Sequence, residues 1–172
     1  MRKNFLLLII CIGCILQSNA QGYQAIGKSG CSVSCNCPLK FEMSRSQDSS
    51  TVYAGECLTT GTHFGVICVK LLYPPTDLDA AGQILSDYLE HLKESFNIVS
   101  AHDLEKGLQL QNRTDTRGIG DNWMDDQKNY WRVQGWTDGK FIVVLYGYAK
   151  KELSQVITRG FFNSLKLPGN LP

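Results

Sequence analysis

Five cysteines fall between positions 31 and 68: Cys31, Cys35, Cys37, Cys57 and Cys68; two more, Cys11 and Cys14, lie within the first twenty residues. Thiols at this density have two common uses. In an oxidising compartment, five of them form two disulfides and leave one over, and sequence does not choose the pairs. Cys31, Cys35, Cys37 and Cys57 are the disulfide candidates, although Cys35 and Cys37, one residue apart, would be strained as a bridge. Cys68 lies inside the apolar run Gly65 to Leu72, where an unpaired cysteine behaves as a small hydrophobe. The other use is a metal site built from Cys31, Cys35 and Cys37 with Cys57 or His63. Zinc commonly draws its four ligands from two Cys-x₂₋₄-Cys knuckles, and only one such spacing is present, so no metal and no cofactor are expected.

A second concentration of chemistry is Arg113 to Gln127, where no hydrophobic period is visible. Arg113, Asp115, Arg117, Asp121, Asp125 and Asp126 surround Gly118, Gly120 and Trp123. Long aperiodic segments inside compact domains tend to be functional, and mixed charge with an aromatic suits a polar ligand or a protein partner. With the adjoining Tyr130 and Arg132, these residues are the candidate binding site. A solvated loop anchored by Trp123 explains the same composition equally well. The segment lacks the alternating oxygen ligands and central glycine of a calcium loop.

Trp131, Tyr146 and Tyr148 share one strand face by alternation, which suits stacking on a flat ligand but more often marks the face beneath a helix. Catalysis has weaker support. His63, His91 and His102 are scattered, no Gly-x-Ser-x-Gly occurs, and the paired carboxylates are those any Asp-rich loop shows. The reading leans to a non-enzymatic binding or accessory module for a protein partner or small polar ligand. The alternative is a small secreted hydrolase or thiol-dependent redox protein using Cys68 or the loop aspartates.

The compartment is read from residues 1–20. Arg2 and Lys3 precede an apolar run from Phe5 to Leu16, and Ser18-Asn19-Ala20 offers a small-x-small cleavage pattern. Twelve apolar residues are too few to cross a bilayer core of ~30 Å as a helix. An exported protein, periplasmic or secreted, without a membrane span is therefore expected. A lipid anchor at Cys14, which follows Gly13, competes, although Cys11 stands where such motifs usually carry Leu. Without Arg2 and Lys3 the chain carries 15 basic against 16 acidic side chains. Near neutrality with no basic block gives no reason to expect nucleic acid as a partner.

These residues need a scaffold, and residues 38–168 read as one α+β domain behind an irregular Cys-rich leader at residues 21–37. Leu39 to Met43, Thr51 to Leu58 and His63 to Leu72 read as strands. A capping box at Thr76 and Asp79 then starts a helix whose stripe is Leu78, Ala81, Leu85, Tyr88, Leu89, Leu92 and Phe96. Ile98 to His102 and Gly107 to Asn112 read as two modest strands. Asn129 to Trp136 and Lys140 to Tyr148 flank Asp138-Gly139, the preferred pair for a two-residue type I′ turn. That turn sets Trp136 opposite Phe141, Val133 opposite Val144 and Trp131 opposite Tyr146. A second helix, from about Lys151 to Lys166, closes the chain. The order is β-β-β-α-β-β-β-β-α, an antiparallel sheet of about six to seven strands with two main helices packed on it.

This order from about Leu39 to Leu167, with a final hairpin leading into a helix that closes on Phe161-Phe162-Asn163-Ser164-Leu165-Lys166, resembles PsbP-like α/β/α-sandwich domains. The resemblance implies a small extracytoplasmic accessory or binding domain without chemistry of its own. The Cys-rich leader departs from that family, and no compact catalytic motif carries over from it.

Overall fold

A computed structural model describes residues 22–111 and 113–169. The signal-like segment and Cys14 lie outside the described residues. The chain forms an α+β fold with β1 (Tyr23–Ala25), β2 (Ser32–Ser34), β3 (Lys40–Arg45), β4 (Thr51–Thr59), β5 (Thr62–Lys70), α1 (Leu78–Ser95), β6 (Ile98–Leu110), β7 (Arg113–Asp125), β8 (Tyr130–Thr137), β9 (Phe141–Ala149) and α2 (Gln155–Phe162). β1 and β2 pair as a small hairpin, and the other seven strands form one antiparallel sheet in the order β3-β4-β5-β9-β8-β7-β6. No described helix is long and apolar enough to cross a membrane.

The sheet is apolar on both faces because β5 and β9 lie inside it. Val66, Cys68, Val143 and Leu145 join Phe161, Phe162 and Leu165 in one core cluster. Their sequence neighbours Ile67, Val69, Ile142 and Val144 join Leu85, Leu89 and Leu92 of α1 in another. Alternation along a strand puts these two sets on opposite faces. Each fully buried Leu or Val contributes about 1.5–3 kcal/mol against exposure, so these two strands supply a substantial part of the favourable side of folding.

α1 forms where the apolar stripe places it and buries Ala81, Leu85, Leu89 and Leu92. Its cap is Asp77 rather than Thr76: the Asp77 carboxylate accepts from the Ala80 backbone N–H at 2.7 Å. α2 is shorter than its pattern suggests and starts at Ser154, whose hydroxyl accepts from the Val156 N–H.

Four further expectations are corrected. The leader is not irregular: Tyr23↔Ser34 and Ala25↔Ser32 pair, and Ile26, Cys31 and Val33 are buried, because Ser32 also exchanges backbone hydrogen bonds with Lys166. Arg113 to Gln127 is not a loop: β7 takes up all but its end and pairs with β6 and β8 along its length. Ile98 to His102 and Gly107 to Leu110 are not two strands but parts of β6, and Asn112 lies outside the described residues. The turn residues between them are accommodated as bulges, with positive φ at Asp103 (65°) and Gly107 (79°). The hairpin register is shifted by two, with Thr137↔Ile142, Trp136↔Val143, Val133↔Tyr146 and Trp131↔Tyr148. A type I′ turn needs positive φ at both central residues, and only Gly139 has it. Asp138 instead folds the turn by accepting from the Lys140 and Phe141 N–H groups at 3.0 Å. A slip of two keeps every side chain on its expected face.

Candidate functional site

His102, Asn122, Arg132 and Gly147 lie side by side across β6, β7, β8 and β9, as the register His102↔Asn122↔Arg132↔Gly147 shows. They share one face, and their sequence neighbours Trp123, Trp131 and Tyr148 point to the other, toward α1. α1 lies along β6, β7 and β8, whereas α2 contacts β9 and β2. The polar row therefore lies on the face away from α1, and α2 borders it at Arg132 through Phe162. The segment entering α2 walls it on one side, where Leu153 Cδ1 comes within 3.5 Å of the position a Cβ on Gly147 would take.

The result is a cleft of about 430 Å³ lined by His102, Asp103, Asn122, Trp123, Tyr130, Trp131, Arg132, Glu152, Leu153 and Gln155. Its size falls within the range of small-molecule sites, roughly 300–1,000 Å³. The bulge at Asp103 turns that carboxylate toward β7, where Asn122 Nδ2 donates to Asp103 Oδ2 at 3.3 Å. The Arg132 guanidinium lies 5.8 Å from the centre of the Phe162 ring, a cation–π contact. The lining thus holds one guanidinium, Arg132, and two carboxylates, Asp103 and Glu152, together with the amides of Asn122 and Gln155.

Of the residues proposed in the sequence as the binding site, Trp123, Tyr130 and Arg132 line this cleft, as do His102 and Trp131. The others serve the fold. Arg113 chelates Asp115, with Nε and Nη2 donating at 2.8 and 2.6 Å, and its Nη1 reaches the Leu167 carbonyl. Arg117 pairs with Asp79 in the first turn of α1 at 2.8 Å. Asp121, buried, accepts from its neighbour Asn122 and from Lys93 of α1 at 3.2 Å. Asp126 is exposed, and its N–H donates to the Asn97 carbonyl.

Asp125 pins the β7–β8 turn. Its carboxylate accepts from the Asn129 N–H at 2.8 Å, Asn129 Nδ2 at 2.7 Å and the Trp131 indole N–H at 2.9 Å. Burial raises its pKa, but the hydrogen bonds from Asn129 and Trp131 outweigh burial and hold it below the usual 3.8. A lowered folded-state pKa contributes stability that is present above 3.8 and is lost as the pH falls through the folded value. Asp125→Asn is accordingly expected to flatten the acid limb of stability below about pH 4, read as urea midpoints at about pH 7 and pH 3. An unchanged acid limb would contradict this role.

The aromatic row has its ring faces occupied. Trp131 lies between Phe96 (centroids 4.9 Å apart, 21°) and Tyr148 (4.1 Å, 18°), and His63 stacks on the other side of Tyr148 (4.4 Å, 8°). The rings spend their faces on one another, so Trp131 offers no platform to a flat ligand. At the end of the row, Glu56 receives the Tyr146 and Tyr148 hydroxyls at 3.1 Å each and lies 2.8 Å from His63 Nδ1. Burial and the Glu56 charge push Tyr148 up to about 12 and raise Tyr146 further, so both remain hydrogen-bond donors. Sequence reasoning missed this cluster because Glu56 sits on a different hairpin from the tyrosines.

Cys37 and Cys57 form a disulfide, with Cα atoms 6.0 Å apart, while Cys31, Cys35 and Cys68 carry buried free thiols. The Cys35, Cys37 and Cys57 sulfurs lie within 4.8 Å of one another. With two of them bonded, they do not offer the three thiolates that a metal would need. Cys68, fully buried, faces Cys31 at 3.8 Å and is out of reach of any substrate. No protein-family model matches the chain, and no curated protein matches it in sequence.

Proposed function

We propose that the chain is an exported, non-enzymatic binding domain whose cleft over β6, β7 and β8 holds a small polar ligand. One observation carries this reading: the row His102, Asn122 and Arg132, on the sheet face away from α1 and bordered by α2 at Arg132, lines a cleft of ligand size. Polar side chains aligned on a strand face are usually either paired internally or turned to bulk water. Here Asn122 pairs with Asp103, and the row, which includes the Arg132 guanidinium, lines a concave space.

The chemistry of the lining specifies the ligand. Arg132 presents a planar fork of donors to a carboxylate or other acceptor. Asp103 and Glu152 accept from an ammonium or hydroxyl donor, and Asn122 and Gln155 serve either role. A zwitterion of amino-acid or short-peptide size fits this distribution best. Export is supported by the signal-like sequence of residues 1–20 and is compatible with the Cys37–Cys57 disulfide. We extend the proposal to a PsbP-like accessory domain with an α/β/α-sandwich-like arrangement, supported by the element order and by a core cluster on each sheet face, one including residues of α1 and the other residues of α2. The hydrolase alternative loses its proposed groups, since Cys68 is sealed and the buried aspartates of β7 are engaged in holding the fold.

The test is a thermal-shift screen with amino acids, di- and tripeptides and monosaccharides, repeated on Arg132→Ala. A zwitterionic ligand is expected to raise the wild-type Tm. Losing a charge-assisted hydrogen bond of about 1.5–3 kcal/mol should weaken that ligand roughly ten- to a hundredfold. No shift with any zwitterion, or an equal shift in the variant, would sink the reading.

A further inference from the structure

The arrangement of the three sulfurs around the disulfide is set by the small hairpin. Gln24 on β1 holds the Cys35 to Leu39 backbone: its Nε2 donates to the Cys37 carbonyl at 2.9 Å and the Cys35 carbonyl at 3.3 Å, and its Oε1 accepts from the Leu39 N–H at 2.8 Å. So fixed, Cys35 and Cys37 both present their sulfurs to Cys57 on β4. Cys35 Sγ lies 3.6 Å from Cys57 Sγ and 3.8 Å from Cys37 Sγ, in contact with both ends of the bond. The remaining thiols stand apart, since Cys31 and Cys68 face each other. A separate cleft of about 630 Å³, lined by Cys35, Thr60, Phe64, Val156, Gly160 and Phe161 among others, opens beside the unpaired thiol.

We propose that Cys35, Cys37 and Cys57 form an exchangeable disulfide site, in which Cys35 and Cys37 alternate as the partner of Cys57. Cys35 gives its proton to water or a buffer base, turns about its Cα–Cβ bond onto the line of the disulfide, and attacks Cys57 Sγ. The Cys35–Cys57 bond forms as Cys37–Cys57 breaks, and the electron pair leaves on Cys37 Sγ, which takes up a proton. Nothing is oxidised or reduced overall, so no outside oxidant or reductant is required. Burial raises the Cys35 pKa, which keeps the resting thiol protonated and the exchange slow near neutrality. The site differs from a simple structural bridge in having two resting states, each leaving a different thiol available.

The experiment maps the free thiol. The purified, oxidised protein is incubated at about pH 8.5, where more thiolate is present, quenched in acid, and labelled with a maleimide in denaturant. Fragment ions from the peptide spanning Cys31 to Lys40 then separate label on Cys35 from label on Cys37. Label is expected on both, with the Cys37 share rising during incubation, whereas Cys35→Ser keeps Cys37 unlabelled. A Cys37→Ser chain is expected to retain one disulfide, Cys35–Cys57. Cys37 unlabelled in the wild type beside labelled Cys31 and Cys35, or a Cys37→Ser chain with both Cys35 and Cys57 labelled, would overturn the proposal.

Discussion

Trp131→Ala is expected to remove about 4 kcal/mol of folding stability, near the middle of the range for truncating a buried tryptophan. Three losses coincide at this position. The ring is only 8% exposed, so its removal leaves a cavity in the cluster under α1. It also empties the centre of the stack, leaving Phe96 and Tyr148 without their shared partner. Finally it takes one of three donors from the Asp125 carboxylate, and a buried charge that loses a partner is costly. Trp131→Phe keeps an aromatic in the stack and forfeits mainly the hydrogen bond, so a loss of about 1–3 kcal/mol is expected. Guanidinium unfolding of both variants reads the difference. A Trp131→Ala loss under about 1 kcal/mol would contradict the packing described.

Gly65→Val is expected to cost about 3 kcal/mol by overpacking. Gly65 and Tyr146 are direct cross-strand partners in β5 and β9, and the tyrosine ring lies flat over the glycine to bring its hydroxyl to Glu56. A Cβ at Gly65 would run into the Tyr146 ring and its hydroxyl oxygen. The strand around Gly65 lies inside the sheet, paired on both edges, so the backbone cannot move aside without breaking ladder hydrogen bonds. The same substitution in a Tyr146→Leu background, where no ring covers position 65, should cost clearly less. Equal costs in the two backgrounds would show that the clash is not the cause.

The residues that fold by burial were readable, and those that fold by polar pairing were not. α1, β5 and β9 announce themselves because their buried positions are apolar and recur at the helical or strand period. β7 does not: its buried positions include Asp121, paired with Lys93 of α1, and Asp125, hydrogen-bonded by Asn129 and Trp131, so its alternation is hidden in residues that read as solvated. Its glycines mislead for a related reason, since Gly118 lies beneath the Trp136 ring and Gly120 close to Leu108. β6 is an edge strand, largely exposed, and carries no hydrophobic period to read. The choice of Cys57 as partner of Cys37 depends on how the small hairpin lies over β4, which spacing does not encode.

The cleft was legible only in part. Trp123, Tyr130 and Arg132 stood out by residue type, but His102, Asp103, Glu152 and Gln155 are exposed polar residues that no local pattern distinguishes. What unites them is the register of β6, β7 and β8 and the short reach of α2. Had β7 been read as a strand, Asn122 and Arg132 would have fallen opposite one another.

The most direct test of the binding account is a backbone amide chemical-shift titration with a zwitterionic ligand from the screen, followed by the same titration of Arg132→Ala. Saturable shifts are predicted at Asp103, Asn122, Arg132 and Leu153, with Leu85 and Leu89 on α1 unmoved, and the variant should lose them at the same ligand concentration. Shifts confined to other surfaces, or a variant that titrates as the wild type does, would contradict it.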